Sequence, residues 1–154
     1  MKTEPSFLFV CTGNICRSPL AELAMREEAQ KRGLQLRIDS AATGEWHLGY
    51  PPDPRAQAIA RREGHDISYY RSRAVCSRDF EDFTHIIALD HTHYKTLKAL
   101  KPSGSKARII LMLDCVKGRK GQDVKDPYYG TERDFETTWH DVKQACQALA
   151  EEAL

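Results

Sequence analysis

The sequence predicts an α/β fold: one domain over residues 1–154, with an open, about four-stranded parallel sheet and helices on both faces, Rossmann-like in layout. Three observations predict it. Short apolar runs rich in strand formers, at residues 8–10, 36–38, 84–89 and 107–113, alternate with stretches of helical periodicity. In the third run, Ile86-Ile-Ala-Leu89, apolar residues follow one another, as they do in strands covered on both faces. The length, 154 residues, suits a single domain with a real core.

The first strand, Leu8-Phe-Val10, runs into a tight loop, Cys11-Thr-Gly-Asn-Ile-Cys-Arg17. Gly13 lets the backbone curl where a side chain would clash. Ser18-Pro19 reads as a helix start, with Ser as the cap and Pro at the first helical position. That helix spans 19–32, with Leu20, Ala21, Ala24, Met25 and Ala29 as its apolar side and Gly33 as its stop. The second strand, 36–38, completes a right-handed βαβ unit whose loop lies at the carboxyl end of strand one, where open parallel sheets bind ligands. Asp39-Ser40 follows that strand and can reach the first loop. Residues 43–54 are rich in Gly and Pro and read as a loop carrying a part-exposed Trp46. A second helix spans 55–63, stopped by Gly64, and 67–73 is a connector.

The third strand, 84–89, ends at Asp90. His91 and His93 are spaced as a strand-borne metal pair, but they read better as the opening of a helix to Leu100. After the fourth strand, 107–113, the basic piece 117–121 is a solvated loop. Asp126-Pro-Tyr128-Tyr129 precedes a last helix, 134–153, whose Phe135, Trp139, Val142, Cys146 and Leu149 recur at core spacing.

The chemistry concentrates in the first loop. Amide N–H groups curled ahead of a helix form a concavity for an oxyanion. A thiol at its lip, near those dipoles and Arg17, is favoured as thiolate, the nucleophilic form. Arg17 offers a planar fork matched to two oxygens of a phosphate. Nucleophile, cradle and clamp on one loop suit transfer of a phosphoryl group onto sulfur. The spacing G-x-x-x-x-G-K-[ST] of a nucleotide loop is absent, and Cys11 and Cys16 lack a second ligand pair for zinc. No cofactor and no metal are expected. Asp126 can protonate a leaving oxygen and later take a proton from water. Tyr128 and Tyr129 beside it make walls for a flat leaving group.

The run Val10-Cys-Thr-Gly-Asn-Ile-Cys-Arg-Ser-Pro19 resembles the active-site loop of the low-molecular-weight protein tyrosine phosphatases. The resemblance continues through residues 39–43, 51–53 and 126–129. It implies phosphotyrosine hydrolysis through a phosphocysteine, with Cys11 as nucleophile, Arg17 and the loop 12–16 (Thr12, Gly13, Asn14, Ile15, Cys16) as phosphate cradle, and Asp126 as general acid. Ser18 assists the sulfur, and Ser40 with Asn14 holds the loop. Trp46, Tyr128 and Tyr129 line the pocket, and Cys16 is a disulfide partner for an oxidised Cys11. Many members carry a supporting His near Tyr70, where this chain has Tyr69-Tyr70 instead. Two rivals share the fold: a protein arginine phosphatase, with Thr where Ile15 stands here, and a thioredoxin-coupled arsenate reductase, for which Cys76 lacks a nearby partner cysteine.

With 23 basic against 22 acidic residues, nothing in the charge argues for nucleic acid or an anionic membrane as partner. No apolar run approaches a membrane span, and residues 1–6 do not read as a signal peptide. Reduced cysteines and a cytoplasmic, mostly monomeric protein are expected. The resemblance implies phosphotyrosine proteins as partners, a bacterial tyrosine kinase as one candidate, with inorganic phosphate as product.

Overall fold

The computed structural model describes residues 4–154. Four strands, β1 (Phe7–Cys11), β2 (Ile38–Ala42), β3 (His85–Ala88) and β4 (Arg108–Leu111), pair in parallel in the order β2-β1-β3-β4. The helices are α1 (Arg17–Lys31), α2 (Pro54–Arg62), a short α3 (Asp79–Asp82), α4 (His91–Leu100) and α5 (Glu132–Ala153), with one 3-10 turn at Met112–Cys115.

The period of two along β1 sorts its side chains to two cores. Phe7, Phe9 and Cys11 face the layer that holds α1, α2 and α5, while Leu8 and Val10 face Phe80, Phe83 and Leu97 on the other side. Helices therefore cover both faces, as the consecutive apolar residues of β1 and β3 require. The chain leaves β1 toward β2 and returns to β3 on its other side. The direction of winding reverses at the carboxyl end of β1, which opens a crevice there.

Four elements have a boundary that differs from expectation by two residues or more. β2 covers 38–42 rather than 36–38, so Ser40 lies inside the strand, paired with Phe9, and not after it. Its short polar pair Asp39-Ser40 hid it from an apolar count. α1 starts at Arg17, with Cys16 at the cap. Ser18 is thus the second residue of the helix and not its cap, and Pro19 is the third, where a missing N–H still costs no hydrogen bond. β4 stops at Leu111, and its last expected residues enter the 3-10 turn. α5 begins two residues early because Asp134 reaches back to accept from Thr131 N–H at 2.7 Å. Among the described residues no helix is long and apolar enough to cross a membrane.

Candidate active site

The loop between β1 and α1 is held by its carbonyls. The oxygens of Cys11, Thr12, Gly13 and Ile15 accept from Thr43 N (2.9 Å), Gly44 N (2.9 Å), Ser72 Oγ (2.8 Å) and Asp53 N (2.8 Å). In a trans peptide the next N–H points opposite to its carbonyl. Tying these carbonyls outward therefore turns the amides of residues 12, 13, 14 and 16 toward the crevice. Asn14 N–H donates to Cys11 Sγ at 3.3 Å. The bend needs one left-handed residue, and it falls on Asn14 (φ 58°), a residue type that tolerates it. Gly13 serves differently: a Cβ there would stand 2.9 Å from His47 Cδ2.

Asn14 also braces the loop. Its Nδ2 donates to Ser18 Oγ (2.8 Å) and Ser40 Oγ (2.9 Å), and its Oδ1 accepts from Arg73 N (3.2 Å). Ser40 Oγ donates to Glu22 (2.7 Å), which Arg26 holds at 2.9 Å. Burial pushes the Glu22 carboxyl up from its ordinary range. The network closes through Glu22 and Arg26. His65 lies elsewhere, 3.0 Å from Glu27.

Cys11 is 2% exposed, and its Sγ lies 3.0 Å from Ser18 Oγ. Because that hydroxyl already accepts from Asn14, its proton is free to go to sulfur. Cys16, in the same loop, lies in the opposite setting. Burial, then the carboxylate of Asp53 and the neighbouring Cys11, push its thiol far up, so it stays protonated. One loop thus carries two cysteines of unlike character, and only Cys11 sits among donors.

Arg17 is also 2% exposed. Its Nη1 donates to Asp90 Oδ2 (2.8 Å) and to the Val124 carbonyl (2.9 Å). Its Nη2 lies 3.5 Å from Thr12 Oγ1 and 3.7 Å from Asp126 Oδ2. Burial works against its charge, but Cys11, Asp90 and Asp126 more than offset that and raise its pKa. Asp90 is depressed in turn: burial would raise its carboxyl, and the hydrogen bond from Arg17 with the neighbouring charges brings it below the usual range.

Asp126 stands over this floor with its side chain 47% exposed. Its Oδ1 accepts from Tyr128 N at 3.1 Å. Arg55 straps the loop down: it donates to the carbonyls of Tyr128 (2.9 Å) and Gly130 (3.1 Å) while Asp53 grips it from the other side (3.0 Å). Asp53 also donates its N–H to Ile15, so one Asp–Arg pair joins the two loops. Tyr128 and Tyr129 meet edge to face at 4.9 Å, and His47 lies 5.9 Å from Tyr128. With Trp46 at the rim they wall a cleft of about 410 Å³ whose floor is Cys11 and Arg17.

All thirteen residues singled out from the sequence are placed in this region: the nucleophile loop, Arg17, Ser18, Ser40, Asp126 and the three aromatics. Asp90, Glu22, Arg55 and His47 were missed as site residues. Asp90 had a signal, at the carboxyl end of a central strand, and Asp53-Pro-Arg55 had another in its charge pair around a helix start. His91 and His93 do not converge: His91 pairs with Asp123 at the surface, whereas His93 is buried.

The profile of the family described as low molecular weight phosphotyrosine protein phosphatase matches residues 6–154. The chain is 40% identical over 146 residues to a low molecular weight protein-tyrosine-phosphatase of Bacillus subtilis, covering 94% of this chain and 92% of that one. It superposes on the crystal structure of a protein tyrosine phosphatase from Entamoeba histolytica with a TM-score of 0.90 at 36% identity, covering 97% and 96% of the two chains. A Drosophila arginine phosphatase is a more distant likeness, with TM-score 0.89 and 28% identity over 96% of each chain. The loop, the strapped Asp126 and these matches agree, and the chain belongs to the low molecular weight phosphotyrosine protein phosphatase family, hydrolases of phosphoric monoesters.

Proposed function

We propose that the cleft hydrolyses phosphotyrosine in proteins, and aryl phosphates generally, by two transfers through Cys11. The thiolate attacks phosphorus in line and the P–O bond to the phenol breaks. Arg17 and the inward amides hold the equatorial oxygens as charge spreads over them. Asp126 gives its proton to the leaving phenolic oxygen. It then takes a proton from the water that attacks the phosphocysteine, releasing inorganic phosphate and the thiolate. Ser18 donates to the departing sulfur.

One observation carries this reading: Cys11 Sγ lies between the Ser18 hydroxyl at 3.0 Å and the Asn14 amide at 3.3 Å, on the floor that it shares with Arg17. The aromatic walls supply the class of substrate. A phosphate on a phenol stands far enough from its peptide to reach a buried floor, and the cleft's lining of Trp46, Tyr128 and Tyr129 offers aromatic faces for a planar ring. A bare arsenate has no use for such walls, and Cys76 is not among the residues lining the cleft. Thr12 and the Drosophila likeness favour phosphoarginine as the second reading, and Ile15 at the cleft disfavours it.

Five free cysteines and a thiolate mechanism support a reducing, cytoplasmic setting. Cys16 shares the curled loop with Cys11, which supports a reversible disulfide between them when peroxide oxidises the Cys11 sulfur to the sulfenic acid, water leaving as the S–S bond forms. We read the chain as one catalytic domain, acting as a monomer on phosphotyrosine proteins.

Three substrates offered side by side test the reading: a phosphotyrosine peptide, a phosphoarginine peptide, and arsenate with thioredoxin. Phosphate release from the first in clear excess is expected. Faster release from phosphoarginine, or reduction of arsenate, would replace it.

A further inference from the structure

Thr12 follows the nucleophile, and its hydroxyl has two partners among the described residues. His93 Nε2 lies 2.8 Å from Thr12 Oγ1, and Arg17 Nη2 donates to the same oxygen at 3.5 Å. The direction of the His93 bond is settled by the cap of α4. Asp90 Oδ1 accepts from His93 N–H (3.1 Å), and Asp90 N–H donates to His93 Nδ1 (3.3 Å). A backbone N–H can only donate, so Nδ1 accepts from it; Asp90 Oδ1 also lies 3.2 Å from Nδ1 but makes no hydrogen bond with it, and the ring proton is assigned to Nε2. His93 therefore donates to Thr12. A hydroxyl oxygen offers two acceptor sites and one proton. With donors from His93 and Arg17 on the acceptor sites, the remaining direction belongs to the Thr12 proton, and Thr12 lines the cleft beside Cys11, Arg17 and Asp126.

We propose that the Thr12 hydroxyl is a further donor to the transferring phosphoryl group, and that His93 is the positioning residue that aims it. The inference rests on the phosphoryl-transfer reading above and adds a side-chain donor to its backbone cradle. The cap fixes a tautomer, the tautomer fixes a hydroxyl, and the hydroxyl meets the charge that develops on phosphorus. The ring must stay neutral for this, because an imidazolium would also donate from Nδ1 and clash with Asp90 N–H. Burial lowers the His93 pKa to about 4; Asp90, Asp126 and Asp123 pull it up, Arg17 pulls it down, and burial prevails. His93 is 1% exposed, so solvent does not compete for Nε2.

The test is a double-mutant cycle with p-nitrophenyl phosphate, reading kcat/KM and the inhibition constant of inorganic phosphate. Thr12→Val is expected to lower kcat/KM about 10- to 100-fold, the range for a hydrogen bond to a charged group, and to weaken phosphate. Thr12→Ser, which keeps the hydroxyl, recovers most of that loss. His93→Leu loses kcat/KM comparably in the parent but less than about threefold in the Thr12→Val background, because it acts through that hydroxyl. His93→Gln, with an amide N–H near the place of Nε2, recovers most of the His93→Leu loss. Equal losses from His93→Leu in both backgrounds would overturn the inference, as would Thr12→Val leaving kcat/KM and phosphate inhibition within twofold of the parent. If the parent itself released no phosphate from the ester, the phosphatase reading would fail first, and the cycle would show this before any variant is compared.

Discussion

The two halves of the cleft are built differently. The nucleophile half is sunk and cross-braced: Cys11, Asn14, Arg17 and Ser18 are each at most 3% exposed, and their partners come from β2, α1, α4 and the 67–73 connector. The acid half rides on the surface: Asp126 has a side chain 47% exposed, and Tyr129 is 95% exposed. Its main ties are the Arg55 strap and the Asp126 turn. The contrast follows from what each half must do. Oxyanion donors act best when fixed in advance. An acid that must let a substrate in and a phenol out needs one firm tether and an open side.

Breaking the deep half has the largest expected effect. Cys11→Ser removes the nucleophile and is expected to cost at least about ten thousand-fold in turnover, with phosphate still bound in a direct titration; measurable turnover near the parent rate would contradict the division. Breaking the shallow half is milder and selective. Asp126→Ala is expected to cost about 100- to 10,000-fold with poor leaving groups and much less with acidic phenols, read as the slope of rate against leaving-group pKa. An equal fall across the series would remove the acid role. Arg55→Leu should sharpen the comparison. It frees the acid loop while leaving the floor intact, so about a tenfold loss of kcat is expected with phosphate inhibition little changed. A matching loss of phosphate affinity would show that the strap serves both halves.

The smallest effect is on stability. His93 has its ordinary value of 6.5 lowered to about 4 in the fold. An unfolded chain takes up this proton near 6.5, and the folded one only near 4. Stability from this site is therefore complete above 6.5 and is lost as pH falls to about 4, by about 3 kcal/mol. Urea unfolding at pH 7 and pH 4 should show a smaller drop for His93→Gln than for the parent; an equal drop would mean that another group titrates.

Sequence legibility follows the same division. The Cys11–Arg17 loop was readable because its chemistry is local: strand, curl and helix start lie within thirteen residues of one another. The sheet was readable where its strands carry consecutive apolar residues, as in Leu8-Phe-Val10 and Ile86-Ile-Ala-Leu89. What escaped is long-range. Nothing near Arg17 in sequence announces Asp90, 73 residues away, and nothing near Tyr128 announces Arg55, 73 residues before it. Ser40 was found by resemblance, but its strand was misplaced because Asp39 and Ser40 break the apolar run. The Ser18 cap was misread because Ser before Pro is a common helix start, whereas here the hydroxyl serves the sulfur and Cys16 holds the cap position.

The central claim is that phosphorus passes through sulfur at position 11. Acid quench of the Asp126→Ala protein during turnover of a phosphorylated phenol, followed by mass analysis of its peptides, tests it most directly. Phosphate on Cys11, absent from a Cys11→Ser, Asp126→Ala double variant, is the expected result. Turnover with no phosphorylated Cys11, or with phosphate on another side chain, would contradict the account.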